Sequence, residues 1–177
     1  MKLYVTRHGE TPYNVENLIC GVTDIELNEH GRHQAHEIAK KFQDIHIDVI
    51  ISSPLKRAKE TAMIIAQTIN KEVVIDDRLH EIDFGIFEGM PGKTAEFRYV
   101  KSHHAMRYPQ GEKLFEVIQR VYNFLDEVNE KYKDKTVLVV CHGGIVRVIH
   151  SYYYDMTNEQ IFTWLPENCC FQVYEKI

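Results

Sequence analysis

Residues 137–144 read Val-Leu-Val-Val-Cys-His-Gly-Gly, an apolar run that ends in a histidine and two glycines. Short, mostly β-branched runs of this kind are typical of strands that are covered on both faces of a sheet. Three similar runs stand earlier in the chain, at residues 3–5, 49–51 and 73–75. Together the four runs predict a largely parallel sheet.

Stretches with helical periodicity separate these runs. Apolar residues recur at helical spacing within residues 35–42, 58–69 and 114–128. Strands that alternate with helices predict a three-layer α/β/α sandwich. The last run, Phe-Gln-Val-Tyr at 171–174, alternates apolar with polar residues, so we expect an antiparallel strand at an edge of the sheet.

Length and composition fit a single domain over residues 1–177. A chain of 177 residues with 44% hydrophobic residues can bury a substantial core, and no repeat or linker divides it. Turn signals at 90–92 (Met-Pro-Gly) and 108–111 (Tyr-Pro-Gln-Gly) bound a segment that is only weakly helical. We interpret residues 90–111 as a small cap over the site.

Bulk properties narrow the partners and the location. The start of the chain lacks a secretory signal, and no stretch approaches the roughly 18 apolar residues of a membrane-spanning helix. We therefore expect a cytoplasmic protein with no membrane partner. The net charge of −5 argues against nucleic acid, so an anionic ligand must be held by a local basic cluster. The four cysteines show no CxxC spacing and predict neither disulfides nor a zinc site.

Polar residues follow each of the four predicted parallel strands. Ligands of open parallel sheets gather beyond the carboxyl ends of the strands. The polar clusters at those ends lie at residues 6–11, 52–57, 79–83 and 141–144. Their candidates for chemistry are Arg7, His8, Arg57, Glu81 and His142.

The sequence Arg7-His8-Gly9 suits phosphoryl transfer. The guanidinium group of Arg7 can direct two N–H groups at phosphoryl oxygens, a geometry that lysine cannot match. His8, with a reference pKa of about 6.5, is largely neutral at pH 7 and can offer a ring nitrogen as a nucleophile. The carbonyl of Gly9 or of a neighbour can hold the other ring nitrogen as N–H. For this motif alone, a hydrogen-bonded turn histidine is an equally good interpretation.

The other candidates also have structural interpretations. His142 precedes two glycines that open a helix, so it can donate to the same phosphoryl group or serve only the fold. Arg57 lies on an amphipathic helix, where a solvated charge is the default. Glu81 has apolar neighbours, and burial together with an arriving phosphate raises the pKa of a carboxyl group. It is therefore a candidate general acid, with Asp83 and Glu88 as competing carboxylates.

Taken together, these clusters resemble the histidine phosphatase superfamily, also called the phosphoglycerate mutase-like family, over nearly the whole chain. The blocks are Thr-Arg-His-Gly-Glu-Thr at 6–11 with Asn14, Ser-Pro-Leu-Lys-Arg-Ala at 53–58 with Thr-Ala at 61–62, Leu-His-Glu-Ile-Asp-Phe-Gly at 79–85 with Glu-Gly at 88–89, and Val-Cys-His-Gly-Gly at 140–144. One block is a moderate signal, whereas four in order are highly specific. The resemblance implies the phosphoglycerate mutase-like form of the α/β/α fold.

The resemblance also implies a role for each residue. His8 takes the phosphoryl group to give a phosphohistidine, while the two arginines and His142 bind its oxygens. Glu81 protonates the leaving oxygen and then activates the attacking water. Asn14 matches a family position that faces the phosphoryl group. No metal and no other cofactor is implied.

The front of the chain resembles the mutases of this family almost as well as its phosphatases. The resemblance implies that a mutase has a longer chain, with an insertion between the acid and the second histidine. In this chain Glu81 and His142 are only about sixty positions apart. Where mutases present a threonine that helps bind the substrate carboxylate, this chain has Cys20 before Gly21, and cysteine is a weak donor. These differences favour a phosphatase, with a cofactor-dependent phosphoglycerate mutase as the alternative. The substrate-binding candidates are Arg7, Asn14, Cys20, Gly21, Arg57, His142 and Gly143.

Two other classes of function compete with these. A non-catalytic phospholigand-binding domain should have lost a key residue, and none is lost. A metal site on His103 and His104 lacks a supporting thiol pair.

The cap is basic, and its charges either steer a second anionic group of the substrate or are simply exposed. The basic residues are Lys93, Arg98, Lys101, His103 and His104. We expect a small phosphorylated metabolite as the partner. Sugar phosphates, phosphoglycerates, a ribazole phosphate and phosphoamino acids stay open, as do a monomer and a homodimer.

Overall fold

The structure, a computed structural model, describes residues 1–175. Within that range the strands form one sheet in the order β3-β2-β4-β1-β5, with the bounds β1 Lys2–Arg7, β2 Val49–Ser52, β3 Val73–Ile75, β4 Thr136–Cys141 and β5 Phe171–Glu175. Neighbouring strands among β1 to β4 are parallel, and β5 pairs antiparallel with β1. The predicted parallel sheet with an antiparallel edge strand is confirmed.

Helices cover both faces of this sheet. Their bounds are α1 Pro12–Val15, α2 Glu29–Phe42, α3 Lys56–Ile69, α4 Ala95–Ser102, α5 Leu114–Lys131, α6 Gly143–Tyr153 and α7 Gln160–Thr163. Alternate strand side chains such as Ile50 and Leu138 pack with the apolar residues of α2 and α3. Their neighbours Val137 and Val139 point the other way and pack with α5 and α6. This arrangement is the predicted α/β/α sandwich.

The carboxyl ends of the central strands come together at one edge of the sheet. The backbone N–H of His8, just after β1, donates to the carbonyl of Cys141 at 3.0 Å. The N–H of Ser53, just after β2, donates to the carbonyl of Val140 at 3.1 Å. Because α3 and α6 begin directly after β2 and β4, their first turns lie at this same edge.

One expectation about the sheet is wrong. The run at 73–75 resembles a strand covered on both faces, but Val74 and Ile75 are 45% and 41% exposed. The reason is position, because β3 is the edge strand opposite β5 and pairs with β2 alone. Apolar composition therefore identified the strand but not its place in the sheet.

Residues 90–111 contain the short helix α4, which is anchored by aromatic packing. Phe97 and Val100 on this helix are buried in the same core as α5 and α6. The ring of Phe97 stacks on Tyr108, with 5.8 Å between the centroids, and lies edge-on to Phe84 and Phe87. The cap segment is thus fixed to the layer that carries α5 and α6.

In the part of the chain that the structure describes, no helix combines the length and the apolar character needed to cross a bilayer.

Candidate active site

A cavity of about 540 Å³ opens at the carboxyl edge of the sheet, and residues of the segment 90–111, which was predicted to be a cap, form part of its wall. Most of the site residues predicted from the sequence line it: Arg7, His8, Asn14, Cys20, Gly21, Arg57, Glu81 and Gly143. His142 does not line the cavity itself. Its ring lies next to that of His8, with 5.2 Å between the two centroids.

The geometry around His8 defines which ring nitrogen is free. Its Nδ1 lies 2.7 Å from the carbonyl oxygen of Gly9. A carbonyl only accepts hydrogen bonds, so in the neutral ring Nδ1 carries the hydrogen and Nε2 carries the lone pair. The Nε–H of Arg57 donates to this Nε2 at 3.3 Å. The nitrogen that can act as a nucleophile is therefore Nε2.

The surroundings of His8 keep its ring neutral. The residue is only 4% exposed. Burial, followed by the positive charges of Arg57 and Arg7, lowers the pKa of His8 well below its usual value. At neutral pH the lone pair on Nε2 is therefore available.

Arg57 is buried at the start of α3, although its place on an amphipathic helix suggested a solvated charge. Its side chain is held in a fixed orientation, because Nη1 donates to the carbonyl of Thr23 at 2.9 Å and Nη2 to that of Gly21 at 2.6 Å. With 1% exposure it brings a full positive charge to the floor of the cavity beside His8.

Arg7 supplies the second guanidinium group. Its Nη1 donates to the carbonyl of Pro166 at 3.3 Å. Its Nε is buried and has no acceptor among residues 1–175. A buried guanidinium donor without a partner is costly, so this N–H is a natural contact for an incoming anion.

His142 is fully buried and is oriented by Ser53. Its Nε2 lies 2.7 Å from Oγ of Ser53, and that oxygen also accepts the backbone N–H of Leu55 at 3.3 Å. The Ser53 hydroxyl can therefore give its hydrogen to Nε2, which places the ring hydrogen of His142 on Nδ1. Nδ1 is buried and has no partner among the described residues. It is thus a free donor next to His8.

Glu81 is buried in the cavity wall and is held by two backbone groups. Oε1 accepts the N–H of Ile82 at 2.9 Å, and Oε2 accepts the N–H of Gly144 at 3.0 Å. Since Gly144 lies in the first turn of α6, the carboxyl group stands at the N-terminus of that helix. Each oxygen keeps a second lone pair that can accept a proton.

The two competing carboxylates have structural roles instead. Oδ1 of Asp83 accepts the backbone N–H of Gly85 at 2.8 Å. Glu88 accepts the backbone N–H groups of Val22 and Thr23 at 2.9 and 2.7 Å. Neither carboxylate lines the cavity. Of these three carboxylates, Glu81 is therefore the one that lines the cavity.

Two asparagines complete the wall near His8. Oδ1 of Asn14 accepts the backbone N–H of Thr11 at 3.0 Å, which directs its NH₂ group away from that turn. Nδ2 of Asn168, from the loop before β5, donates to the carbonyl of His8 at 2.7 Å. Asn168 was not predicted, because it belongs to no motif and contacts His8 from 160 positions away.

The remaining predicted binding residues shape the cavity. The thiol of Cys20 is directed to the carbonyl of Thr23 at 3.6 Å, and burial raises its pKa to about 11, so it stays a neutral thiol. Gly21 has φ +50°, and a Cβ there would lie 2.0 Å from Oε1 of Glu88. A Cβ on Gly143 would lie 2.5 Å from Leu165.

Two further cations line the outer part of the cavity. Lys101 belongs to the basic cap, whereas Arg147 on α6 was not predicted. Its sequence signal is helical spacing, because Arg147 stands one turn after Gly143 and Gly144. Of the other basic cap residues, Lys93, His103 and His104 also line the cavity, and Arg98 is exposed outside it.

No three histidine, cysteine, aspartate or glutamate side chains within residues 1–175 are close enough together to hold a metal ion.

Comparisons with known proteins identify the family of this chain. The sequence matches the histidine phosphatase superfamily (branch 1) over residues 3–176. Phosphoserine phosphatase 1 of Hydrogenobacter thermophilus is 33% identical over 180 residues, covering 98% of this chain and 85% of its own. The uncharacterized phosphatase PhoE of Bacillus subtilis is 39% identical over 145 residues (82% and 73%). The probable phosphoglycerate mutase GpmB of Erwinia tasmaniensis is 33% identical over 158 residues (85% and 74%).

The fold is shared with solved structures as well. Bacillus stearothermophilus YhfR superimposes with a TM-score of 0.88 at 27% identity, over 98% of this chain and 90% of its own. The family match spans all four motif blocks, and the structure brings these blocks to one edge of the sheet. On both grounds, the chain belongs to the histidine phosphatase superfamily.

Proposed function

We propose that the protein is a phosphatase that hydrolyses a small phosphomonoester through a phosphohistidine on His8, without a metal ion. The observation that carries this proposal is the state of the His8 ring. Its Nδ1–H is engaged by the Gly9 carbonyl, and its Nε2 lone pair is buried beside Arg57 at the cavity floor. A fixed, neutral imidazole with one unprotonated nitrogen is what a nucleophile for phosphoryl transfer requires.

The first step forms the covalent intermediate. Nε2 of His8 bonds to phosphorus while the bond from phosphorus to the alcohol oxygen breaks. Arg7, Arg57 and Nδ1–H of His142 stabilise the charge on the phosphoryl oxygens. Glu81 gives its proton to the departing oxygen, so that the leaving group departs as an alcohol.

The second step restores the enzyme. Glu81, now a carboxylate, takes a proton from a water molecule, and the water oxygen bonds to phosphorus as the bond to His8 breaks. Inorganic phosphate leaves, His8 is again neutral, and Glu81 again holds the proton. The charge stabilisation that a metal supplies in other phosphoryl-transfer sites comes here from Arg7 and Arg57.

The small size of the segment 90–111 favours a phosphatase over a mutase. Between Glu81 and α5, the described chain adds a single short α-helix to the cavity wall, the eight-residue α4. A mutase must retain its bisphosphorylated intermediate, whereas a small cap lets product leave and water enter. The names of two relatives, phosphoserine phosphatase 1 and PhoE, agree with this choice, and that of GpmB is the reason to assay mutase activity in parallel.

The test is to trap the intermediate with nitrophenyl phosphate. Rapid acid-free quenching followed by mass spectrometry should place a phosphoryl group on His8. His8→Ala should keep its thermal melting temperature and fall below about a hundredth of wild-type turnover, because it lacks the nucleophile. His30→Ala, at an exposed histidine on α2, is the matched control. A folded His8→Ala variant with higher activity would rule out the covalent mechanism.

A further inference from the structure

The guanidinium group of Arg57 is held by two carbonyls of one short loop, residues 20–24. Its Nη2 donates to the carbonyl of Gly21 at 2.6 Å, and its Nη1 donates to that of Thr23 at 2.9 Å. No carboxylate of residues 1–175 forms an ion pair with Arg57. The orientation of this buried cation therefore depends on where the loop places those two oxygens.

The carboxylate of Glu88 binds the N–H groups of the same loop. Its Oε1 accepts the N–H of Val22 at 2.9 Å, and its Oε2 accepts the N–H of Thr23 at 2.7 Å and also the Thr23 hydroxyl. Oε1 accepts in addition the backbone N–H of Phe84 at 3.2 Å. The carboxylate therefore fixes the loop to the segment that follows the strand-end cluster at 79–83.

One peptide group joins the two charged side chains. The carbonyl of Gly21 and the N–H of Val22 belong to the same planar unit. This unit accepts a hydrogen bond from Arg57 at one end and donates one to Glu88 at the other. A cation at the carbonyl and an anion at the N–H polarise the peptide group in the same sense, which strengthens both hydrogen bonds. The two side chains are thus coupled through the backbone.

The residues of the loop suit this coupling. Thr23 repeats the arrangement, because its carbonyl binds Arg57 and its N–H binds Glu88. Gly21 has φ +50°, and a Cβ at this position would overlap Oε1 of Glu88 and lie 3.0 Å from the carbonyl oxygen of Ile82. Glycine therefore lets the carboxylate approach the peptide group closely.

We propose that Glu88 positions Arg57 for phosphoryl transfer, acting through Thr23 and through the peptide group between Gly21 and Val22. This inference rests on the proposed function, because Arg57 is assigned there to the phosphoryl oxygens. With both Nη groups bound to the loop, the Nε–H of Arg57 points at Nε2 of His8. A phosphoryl group that bonds to this nitrogen brings its oxygens next to the same N–H. Glu88 does not line the cavity, so its effect on the reaction passes through Arg57.

The orientation of Arg57 can be measured without a ligand. In nitrogen-15 NMR its Nε–H, identified by the signal that is missing in Arg57→Met, should be protected from exchange with water. Glu88→Gln turns an NH₂ group toward one of the two N–H donors of the loop, so at least one of these hydrogen bonds is lost. We expect the exchange rate of the Arg57 Nε–H to rise at least about tenfold. An unchanged rate in the folded variant would overturn the proposal.

A double-mutant cycle separates positioning from a general loss of structure. In Glu88→Gln the kcat for nitrophenyl phosphate should fall at least about tenfold, because an oriented donor is lost. In an Arg57→Met background the same substitution should cost less than about twofold, because the side chain through which it acts is absent. An equal loss in both backgrounds would mean that Glu88 acts on the cavity or the fold directly, and it would overturn the proposal.

Asp48→Asn is the matched control for these measurements. Asp48 accepts the backbone N–H of Thr136 at 2.8 Å, at the amino ends of β2 and β4 and thus at the opposite edge of the sheet. This variant should have a lower melting temperature but an unchanged kcat and an unchanged exchange rate at Arg57. Equal effects of Asp48→Asn and Glu88→Gln on both quantities would count against positioning.

A conservative variant covers the case in which Glu88→Gln does not fold. Glu88→Asp keeps the charge but is one methylene group too short to reach both N–H groups of the loop. Its exchange rate and kcat should change in the same directions as those expected for Glu88→Gln, by a smaller factor. No change in either quantity would overturn the proposal.

The outcomes distinguish this inference from the proposed function. If Glu88→Gln releases the Nε–H of Arg57 but His8→Ala stays active, the contact that positions Arg57 is retained and the phosphohistidine reaction is lost. If a phosphoryl group is trapped on His8 but Glu88→Gln leaves the Arg57 Nε–H unchanged, the reaction is retained and the positioning role is lost.

Discussion

Arg120 binds the carboxylate of Glu112 through two hydrogen bonds, from Nε to Oε1 and from Nη2 to Oε2, each 3.0 Å long. The same guanidinium group donates to the carbonyls of His80 and Glu81, and Glu112 accepts the backbone N–H of Asp83. The Arg120–Glu112 pair therefore holds the backbone before and after Glu81, the residue that we propose as the general acid. The loop has no regular secondary structure of its own at Glu81, so its position depends on α5.

We expect Glu112→Gln to lower the free energy of unfolding by about 1–2 kcal/mol at neutral pH, a value reduced from that of a buried pair because the site is partly exposed. Burial alone would raise the pKa of Glu112, but hydrogen bonds from His80, Arg120 and Asp83 outweigh it and lower this pKa to about 2. The carboxylate therefore contributes stability above its unfolded pKa of about 4.5, and this contribution is lost as pH falls toward 2.

The measurement is urea unfolding of the wild type and Glu112→Gln at several pH values. The difference between them should be clear near pH 5 to 6 and should shrink as the pH falls through about 4. A difference that is the same at every pH would mean that the amide removes packing rather than charge. Glu116→Gln, at an exposed carboxylate that pairs with Arg107 instead, is the control.

Ser53→Ala should weaken catalysis by releasing His142. The Ser53 hydroxyl places the ring hydrogen of His142 on Nδ1, beside His8, and without it the neutral ring can adopt either tautomer. Loss of one preorganised donor costs about 10²–10³-fold in other enzymes, so we expect kcat to fall by at least about tenfold. Nitrogen-15 NMR should show Nδ1 as the protonated nitrogen in the wild type and a mixture in the variant.

Ser52→Ala provides the matched control for this change. The hydroxyl of Ser52 is as buried as that of Ser53, but it donates to the backbone carbonyl of Ser53 and does not contact His142. A wild-type ring found with its hydrogen on Nε2, or a Ser52→Ala variant with the same kinetic loss, would contradict the assigned orientation.

How much of this site could be predicted from the sequence depends on where each residue lies relative to the strands. Residues such as His8 and Arg57 stand at strand ends, and apolar runs mark strand ends, so the apolar pattern alone predicts that they lie at one edge of the sheet. The choice between Glu81 and Glu88 could not be made in this way. Glu88 binds the N–H groups of Val22 and Thr23, which are more than sixty positions away.

The outer part of the cavity was less predictable for a related reason. Asn168 lies in a loop with no periodic pattern. Lys101 and Arg147 donate to carbonyls at the end of α7, a short helix without a motif of its own. The exposure of β3 was missed because apolar composition does not distinguish an edge strand from a central one. Long-range contacts, rather than local propensity, decide these features.

Activity should survive exhaustive chelation, because Arg7, Arg57 and His142 supply the positive field at the phosphoryl group. The check is to dialyse the protein against a strong chelator, measure residual metal by mass spectrometry and assay nitrophenyl phosphate hydrolysis. Activity that is lost on dialysis and restored by a divalent metal would contradict the metal-free mechanism.

Glu81→Gln should separate the two proton transfers of the reaction. The amide can neither give nor take a catalytic proton, and general acid–base catalysis contributes roughly 10²–10⁴-fold, so hydrolysis of an alkyl phosphate should slow by about that factor. Nitrophenyl phosphate has a good leaving group that needs little protonation, so its transfer to His8 should be spared while hydrolysis of the intermediate slows. Rapid quench should then show a burst of nitrophenolate with the phosphoryl group held on His8.

Glu81→Gln also has a structural effect, because the amide NH₂ of the glutamine must face one of the two N–H donors of Ile82 and Gly144. The experiment must therefore separate the loss of proton transfer from this structural effect. That conflict lowers stability by about 1–3 kcal/mol and affects both substrates alike. The ratio of their first-step rates is therefore the informative quantity, and we expect it to shift toward nitrophenyl phosphate by at least about a hundredfold. Asp83→Asn, which alters a neighbouring carboxylate outside the cavity, should leave this ratio unchanged. Equal slowing of both substrates in Glu81→Gln, with no phosphoryl group trapped on His8, would remove Glu81 from this role.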